Sequence, residues 1–242
     1  MSAELRFSLI VPVFNEVENV PALLDEISSV LAALGAFEVL IVDDASTDGT
    51  QAALREWQRA HAASWLRLLR LARNSGQSAA VLAGVERARA PLVLTMDGDL
   101  QNDPRDLQRM LEILEAGDYA GVTGSRERRQ DSLVRRWSSR IGNAVRNWTT
   151  GDRVRDAACG IKGFRRSVFL AVPRFNGMHR FMATLVRQAG NQVLEIPVTH
   201  RPRRAGEAKY GIGNRALRGL RDCLAVRWLR DRQLDFAVRE EE

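Results

Sequence analysis

Two aspartates separated by a glycine, Asp97-Gly98-Asp99, stand directly after an apolar run, PLVLTMD (91–97). Carboxylates so spaced at a strand end, with a residue between them that lets a ligand approach closely, can hold a hard divalent cation. Mg²⁺ or Mn²⁺ takes one or two protein carboxylates and completes its shell with substrate phosphates and water. Gln101 is placed to add an amide oxygen. The same residues also read as a turn with a helix N-cap, since a lone Asp-x-Asp recurs by chance in many proteins.

A second acidic pair, Asp43-Asp44, ends the run FEVLIVD (37–43). An acidic residue there commonly meets the ribose or base of a bound nucleotide. Either aspartate can instead cap the next helix, although Asp48 is the more obvious N-cap. After the first apolar run come Pro12-Val13-Phe14-Asn15-Glu16, where Phe14 is suited to flank a base and Glu16 to accept from it. No G-x-G-x-x-G comes after that run, and no G-x-x-x-x-G-K-[ST] occurs, which argues against a dinucleotide or P-loop site.

The elements that must position these groups alternate. FSLIVPV (7–13), FEVLIVD (37–43), WLRLLRL (65–71), PLVLTMD (91–97) and YAGVTGS (119–125) read as strands. Helices are expected between them, one through Val20, Leu23, Leu24, Ile27 and Leu31, and others at about 48–61, at about 77–89, and after Pro104. Such alternation means an α/β fold with a mostly parallel central sheet and helices on both faces. Ligands in such sheets bind outside the carboxyl ends of the strands. Polar clusters fall there in turn: Asn15-Glu16, Asp43-Asp44, Arg73-Asn74, Asp97-Gly98-Asp99 and Arg126. The second half adds a helical stretch at 133–148, a strand at 192–200, a basic loop, RPRRAGEAKYG (201–211), and a last helix at about 213–230.

The net charge of +6 hides an asymmetry. Residues 1–118 carry 10 arginines against 18 acidic groups, net −8, whereas residues 119–242 carry 26 basic against 12 acidic, net +14. An acidic half suits divalent cations, and a basic half suits phosphates or an anionic surface. Nucleic acid is disfavoured as a partner, because no helix-turn-helix, RNP or cysteine–histidine module is present. Cys159 and Cys223 form no disulfide framework, so a reducing compartment is expected. No stretch approaches the roughly 20 apolar residues of a membrane span, and the N-terminal run does not read as a signal peptide.

Taken in order, VPVFNE (11–16), VDDASTDGT (42–50), RNSGQSAA (73–80), DGDLQNDP (97–104), GSR (124–126), CGIKGFRR (159–166) and RRAGEAKYG (203–211) strongly resemble family 2 glycosyltransferases of the GT-A fold. Within them the chain is most similar to the dolichol- and polyprenyl-phosphate sugar synthases, over roughly residues 6–215. The resemblance implies a single GT-A domain over 1–242, with a nucleotide-sugar half (1–125) and an acceptor half (126–242). It implies that Pro12, Phe14, Glu16, Val42 and Asp44 form the nucleotide pocket, and that Asp97, Gly98 and Asp99 hold metal and diphosphate with Gln101 on the metal. Arg126, Arg203 and Lys209 would contact donor or acceptor phosphates. Asp99 and Arg126 would then be catalytic, together with Asp156 as a base or as a group that orients an arginine. Two positions depart from the family pattern: Ala208 stands where Ser usually precedes the lysine, and Phe14 stands where Tyr is common.

The reaction implied is an inverting transfer from a UDP- or GDP-sugar to a polyprenyl phosphate, dolichyl or undecaprenyl, with Mg²⁺ or Mn²⁺. The alternative is a related transferase that adds a sugar to a glycan or lipid hydroxyl. Many arginines and alanines with few lysines favour a bacterial undecaprenyl acceptor. The location expected is peripheral, on the cytoplasmic face of a membrane, either directly or through a separate membrane-spanning subunit. Helix 213–230 offers Leu217, Leu220, Leu224 and Trp228 on one side, with Arg215, Arg218, Arg221 and Arg230 largely elsewhere. That pattern suits a membrane interface, and it equally suits a helix that packs on the domain and keeps its arginines solvated.

Overall fold

Alternation along the first strands decides both faces of the sheet. In β1 (Phe7–Val13), Phe7, Leu9, Val11 and Val13 enter one hydrophobic layer while Ile10 enters the other. In β2 (Phe37–Asp43), Val39 and Ile41 join the first layer, and Leu40 and Val42 the second. A period of two with both sides apolar requires helices on both sides. The computed structural model describes residues 4–126, 133–202 and 212–233 of the 242.

The remaining strands are β3 (Leu66–Arg70), β4 (Leu92–Thr95), β5 (Gly121–Ser125), β6 (Lys162–Arg165) and β7 (Val193–Pro197). They form one seven-stranded sheet in the order β3-β2-β1-β4-β6-β5-β7. All neighbouring pairs are parallel except those made by β6, which runs antiparallel to both β4 and β5. The α/β, mostly parallel architecture expected from sequence is the one found.

Helices α1 (Val20–Leu31), α2 (Thr50–Ala60) and α4 (Asp106–Ala116) supply Leu24, Leu54 and Leu111 to the first layer. On the other face α3 (Gln77–Arg87), α6 (Arg166–Ala171) and α7 (Met182–Gln188) supply Val81, Phe169 and Leu185. Burying a side chain of this size stabilises by about 1.5–3 kcal/mol. Outside the sheet, α5 (Leu133–Thr150) packs with α8 (Ile212–Asp231).

Two sequence expectations need correction. Strand β6 has no counterpart among the expected strands: KGFR is four residues long and two of them are charged, which leaves no alternating apolar signal. Asp48 is not the N-cap of α2, because Gly49 occupies that position. The Asp48 carboxylate instead accepts from the Thr50 amide (3.0 Å) and the Val17 amide (3.2 Å), bridging two loops.

The close fit of α3 on the sheet yields a stability test. A methyl group at Gly84 would lie 2.4 Å from Ile10 Cγ2 and 3.2 Å from Val42 Cγ2. Gly84→Ala should therefore destabilise by about 1–3 kcal/mol. Gly142→Ala, in α5 with nothing within 4 Å of the added carbon, should stabilise by about 0.5–1 kcal/mol. Thermal unfolding of both variants checks the pair, and equal shifts would contradict the packing described.

Candidate active site

The carboxyl ends of β1, β2 and β4 open onto a cavity of about 450 Å³, a volume suited to a small-molecule ligand. One wall comes from β1 and its loop: Pro12, Phe14 and Glu16. That loop is laced to the loop after β2. The Asn15 amide donates to Ser46 Oγ (2.9 Å), the Thr47 amide donates to Asn15 Oδ1 (2.9 Å), and the Glu16 amide donates to Thr50 Oγ1 (2.9 Å). Asp44 lines the same wall. Its two oxygens accept from the Ser75 and Gly76 amides (2.7 and 2.8 Å), which pins the loop before α3.

Asp97, Gly98, Asp99 and Gln101 form the neighbouring wall. Gln77 Nε2 donates to Asp97 Oδ1 at 2.7 Å, and Gly160 lies against the opposite oxygen. Burial and the nearby Asp99 charge push the Asp97 pKa up to about 6, against the opposing pull of Lys162 and Arg126. The Lys162 ammonium donates to the Cys159 carbonyl oxygen, and burial lowers its pKa below the usual lysine value. Gln101 Nε2 donates to the Arg201 carbonyl oxygen at 3.4 Å, which leaves its amide oxygen as the atom for a cation. Among the described residues, no group of three or more His, Cys, Asp or Glu is gathered to hold a metal alone. Two carboxylates and an amide oxygen fit a hard cation that takes its remaining ligands from phosphate and water.

The second half of the chain supplies cations to this acidic wall. Arg126 lines the cavity and is gripped by Asp156, with Nε to Oδ2 at 2.6 Å and Nη2 to Oδ1 at 2.8 Å. His179 and Arg180 close the far side. Arg180 pairs with Asp222 of α8 at 2.7 Å. Ser78 Oγ accepts from the Gly177 amide (2.9 Å) and is hydrogen-bonded to His179 Nδ1 (2.6 Å). Burial, then the Lys162 and Arg180 charges, lower the His179 pKa to about 3, and the ring is neutral.

Of the residues expected at the site, the structure brings together Pro12, Phe14, Glu16, Asp44, Asp97, Gly98, Asp99, Gln101 and Arg126. Val42 is not on the cavity wall. Its side chain is wholly buried behind the cavity, against α3 near Gly84. Asp156 stands behind Arg126 rather than on the cavity wall, so of its two sequence readings the geometry matches the arginine-orienting one. Arg203 and Lys209 lie outside the described residues. Sequence reasoning passes over Gln77, Lys162, His179 and Arg180. Gln77 and Lys162 sit inside RNSGQSAA and CGIKGFRR, so those two motifs hold the signal; His179 and Arg180 fall in no quoted motif.

The profile of glycosyl transferase family 2 matches residues 8–172, and the chain belongs to that family. A dodecaprenyl-phosphate galacturonate synthase of Rhizobium johnstonii is 37% identical over 226 residues, 92% of this chain and 66% of the relative. An undecaprenyl-phosphate 4-deoxy-4-formamido-L-arabinose transferase of Sodalis glossinidius is 35% identical, over 86% of this chain and 63% of the relative. The chain thus spans just under two thirds of the length of these curated relatives. The fold is shared with a Pyrobaculum calidifontis mannosyltransferase solved with GDP-mannose and Mn²⁺, at TM-score 0.66 and 23% identity, covering 98% of this chain and 67% of that one. It is shared likewise with glucosyl-3-phosphoglycerate synthase of Mycobacterium tuberculosis, at TM-score 0.69 and 16% identity, covering 97% of this chain and 81% of that one.

The geometry around Asp97 can be tested by adding one methyl group. A Cβ at Gly160 would lie 2.0 Å from Asp97 Oδ2. Gly160→Ala should thus displace Asp97 and destabilise the fold by about 1–3 kcal/mol, and an unaltered Tm would contradict the close approach of Gly160 to Asp97. His179 makes stability depend on pH. Its folded pKa, near 3, lies below the ordinary value of 6.5. Between those values the unfolded chain binds a proton that the folded chain does not, so stability falls as pH drops through that window. His179→Gln should lose less Tm than the wild type between about pH 7.5 and about pH 5. Equal losses in both would show that His179 is not the responsive group.

Proposed function

We propose that this chain is a metal-dependent glycosyltransferase that moves a sugar from a UDP- or GDP-sugar to the phosphate of a polyprenyl phosphate, with inversion at the anomeric carbon. The observation that carries the reading is a single cavity with Asp97 and Asp99 on one wall and Lys162 and Arg126 beside them. Support comes also from the relatives, whose names specify dodecaprenyl and undecaprenyl phosphate. The nucleotide would rest against Pro12, Phe14, Glu16 and Asp44. Asp97, Asp99 and the Gln101 amide oxygen would hold Mg²⁺ or Mn²⁺, which when bound supplies charge neutralisation for the leaving diphosphate. Lys162 and Arg126 add fixed positive charge on the same side, in surroundings where water screens little.

The nucleophile needs little activation. A phosphate monoester loses its second proton near ~6, so it is already ionised at neutral pH. The structure suits this, because Asp156 is engaged by the guanidinium of Arg126 and orients it. A guanidinium so held presents its remaining N–H groups to a phosphate as a fork. Transfer to a hydroxyl would instead ask a carboxylate to take a proton. Arg203 and Lys209, in the sequence segment before α8, are assigned to the acceptor phosphate on the family resemblance. Among the described residues no helix is long and apolar enough to cross a membrane. We place the meeting with the lipid acceptor at a membrane surface, on the cytoplasmic face; Cys159 and Cys223 are buried and free, as a reducing compartment allows.

The test is a panel of UDP- and GDP-sugars with Mn²⁺, each with and without polyprenyl phosphate. Transfer should require the lipid phosphate and stop on addition of EDTA. Asp99→Asn should lower turnover by about a hundredfold or more with Tm unchanged, since a rim residue contributes little to the core. Full turnover in that variant or in EDTA would sink the metal assignment.

A further inference from the structure

Five large hydrophobic side chains are exposed among the described residues, and all five lie on two neighbouring helices. Val145 and Trp148 on α5 are 42% and 80% exposed, and Leu220, Leu224 and Trp228 on α8 are 45%, 56% and 60% exposed. The α8 residues recur every four positions and so form one row along the helix. The opposite side of α8 does the packing, through Cys223 and Val226 at 5% and 0% exposure. Arg230 of α8 donates to the carbonyl oxygen of Thr150 at 3.4 Å. The last turns of the two helices, which carry Trp228 and Trp148, are therefore held side by side.

Charge accompanies the apolar row. Helices α5 and α8 together contain nine arginines, no lysine and two aspartates, net +7. Both aspartates are already committed: Asp222 pairs with Arg180, and Asp231 with Arg227 and Arg230. A second copy docked through the same face would set the exposed Arg221 and Arg227 against their own counterparts, which disfavours self-association. Tryptophan beside arginine, with aliphatic residues between, matches the chemistry of an anionic bilayer interface.

We propose that the α5/α8 face is the membrane-docking surface of this protein, with Trp148, Leu220, Leu224 and Trp228 entering the headgroup boundary of an anionic bilayer. This rests on the reading that the acceptor is a lipid phosphate. The same helix is fixed to the cavity. Asp222, between Leu220 and Leu224, holds Arg180 on the cavity wall. In sequence, the RRAGEAKYG segment ends immediately before α8 begins at Ile212. Docking through α8 would thus bring the cavity wall at Arg180 towards the lipid headgroups.

The experiment is co-sedimentation of the full chain with phosphatidylglycerol/phosphatidylcholine vesicles and with pure phosphatidylcholine vesicles, across a salt series. Wild type should bind the anionic vesicles, release as salt rises, and show a tryptophan emission blue shift. The double variant Leu224→Glu/Trp228→Glu should bind at least about tenfold more weakly, while transfer to a short-chain, water-soluble isoprenyl phosphate stays unchanged. Trp148→Ser, at a side chain almost free of packing, should remove part of the blue shift and serves if the double variant fails to fold. Absence of binding to anionic vesicles, or equal binding by wild type and variants, overturns the proposal. So does a wild-type dimer in light scattering that the double variant abolishes, which would give the face to a second copy. Vesicle binding with no transfer to any polyprenyl phosphate would sink the acceptor reading while the docking face stands. Transfer to the short-chain acceptor with no vesicle binding would do the reverse.

Discussion

The antiparallel pairing of β6 with β4 is the contact on which the cavity depends. Its register sets Thr95 opposite Lys162 and Leu94 opposite Gly163, and Thr95 Oγ1 donates to the Gly160 carbonyl oxygen at 3.1 Å. That one pairing places Gly160 against the Asp97 carboxylate and brings the Lys162 ammonium into the same buried corner. Residues 1–118 contribute no lysine and are net −8. The acidic wall at the end of β4 meets its countercharge from the second half, through Lys162 of β6 and through Arg126 after β5. Desolvation opposes both ions, raising the Asp97 pKa and lowering that of Lys162. Their mutual attraction offsets part of that penalty. Gly163 is required for the same reason of space: a Cβ there would lie 2.5 Å from Leu94 Cδ2.

Around this corner the backbone is held in conformations that the residues would not choose. Asn15, Ala45 and Leu100 have φ of 52°, 60° and 60°, and each comes after the end of a central strand, β1, β2 or β4. Left-handed backbone costs roughly 1–2 kcal/mol per non-glycine residue, less for asparagine. The hydrogen bonds between the β1 and β2 loops hold two of these turns from both sides. Leu100 is itself buried in the core, which fixes the loop between Asp99 and Gln101. Strain concentrated at one rim and absorbed by the surrounding packing is what a ligand site needs to be formed before its ligand arrives.

Much of this is legible in the sequence, and the misses have physical causes. Strands β1 and β2 announce themselves because both faces are apolar and β-branched, and the Asp97–Asp99 pair is visible because it stands after such a strand. Strand β6 is invisible by pattern: two of its four residues are cationic, and Lys162 is buried by tertiary electrostatics that local propensity does not encode. Only its motif assigns Val42 to the pocket. It lies two residues before Asp44, within β2 and under α3, where the helix closes over it. His179 and Arg180 come from a 3₁₀ turn between helices, and only the folded chain brings that turn to Ser78 and Asp222. For α8, the sequence leaves two readings of its apolar stripe, interface or packing. Burial separates them for the described part: Cys223 and Val226 pack, whereas Leu220, Leu224 and Trp228 do not.

The division of charge along the chain acquires its meaning from the topology. The acidic first half supplies β3, β2, β1 and β4 and the basic second half supplies β6, β5 and β7, so the two halves are adjoining parts of one sheet. Opposite charges therefore meet inside a cavity wall rather than across a hinge. Each arginine there has a fixed partner from the chain's own later segments: Asp156 for Arg126 and Asp222 for Arg180. Such pairs contribute little net stability when their desolvation is counted. Their physical return is geometric, since an arginine held by one carboxylate retains few rotamers in which to meet a phosphate. Asp222 sits on the helix whose outer row is apolar, so the Arg180 side chain is ordered by the same element that we assign to the lipid surface. On this arrangement membrane docking and the positioning of Arg180 on the cavity wall draw on one helix.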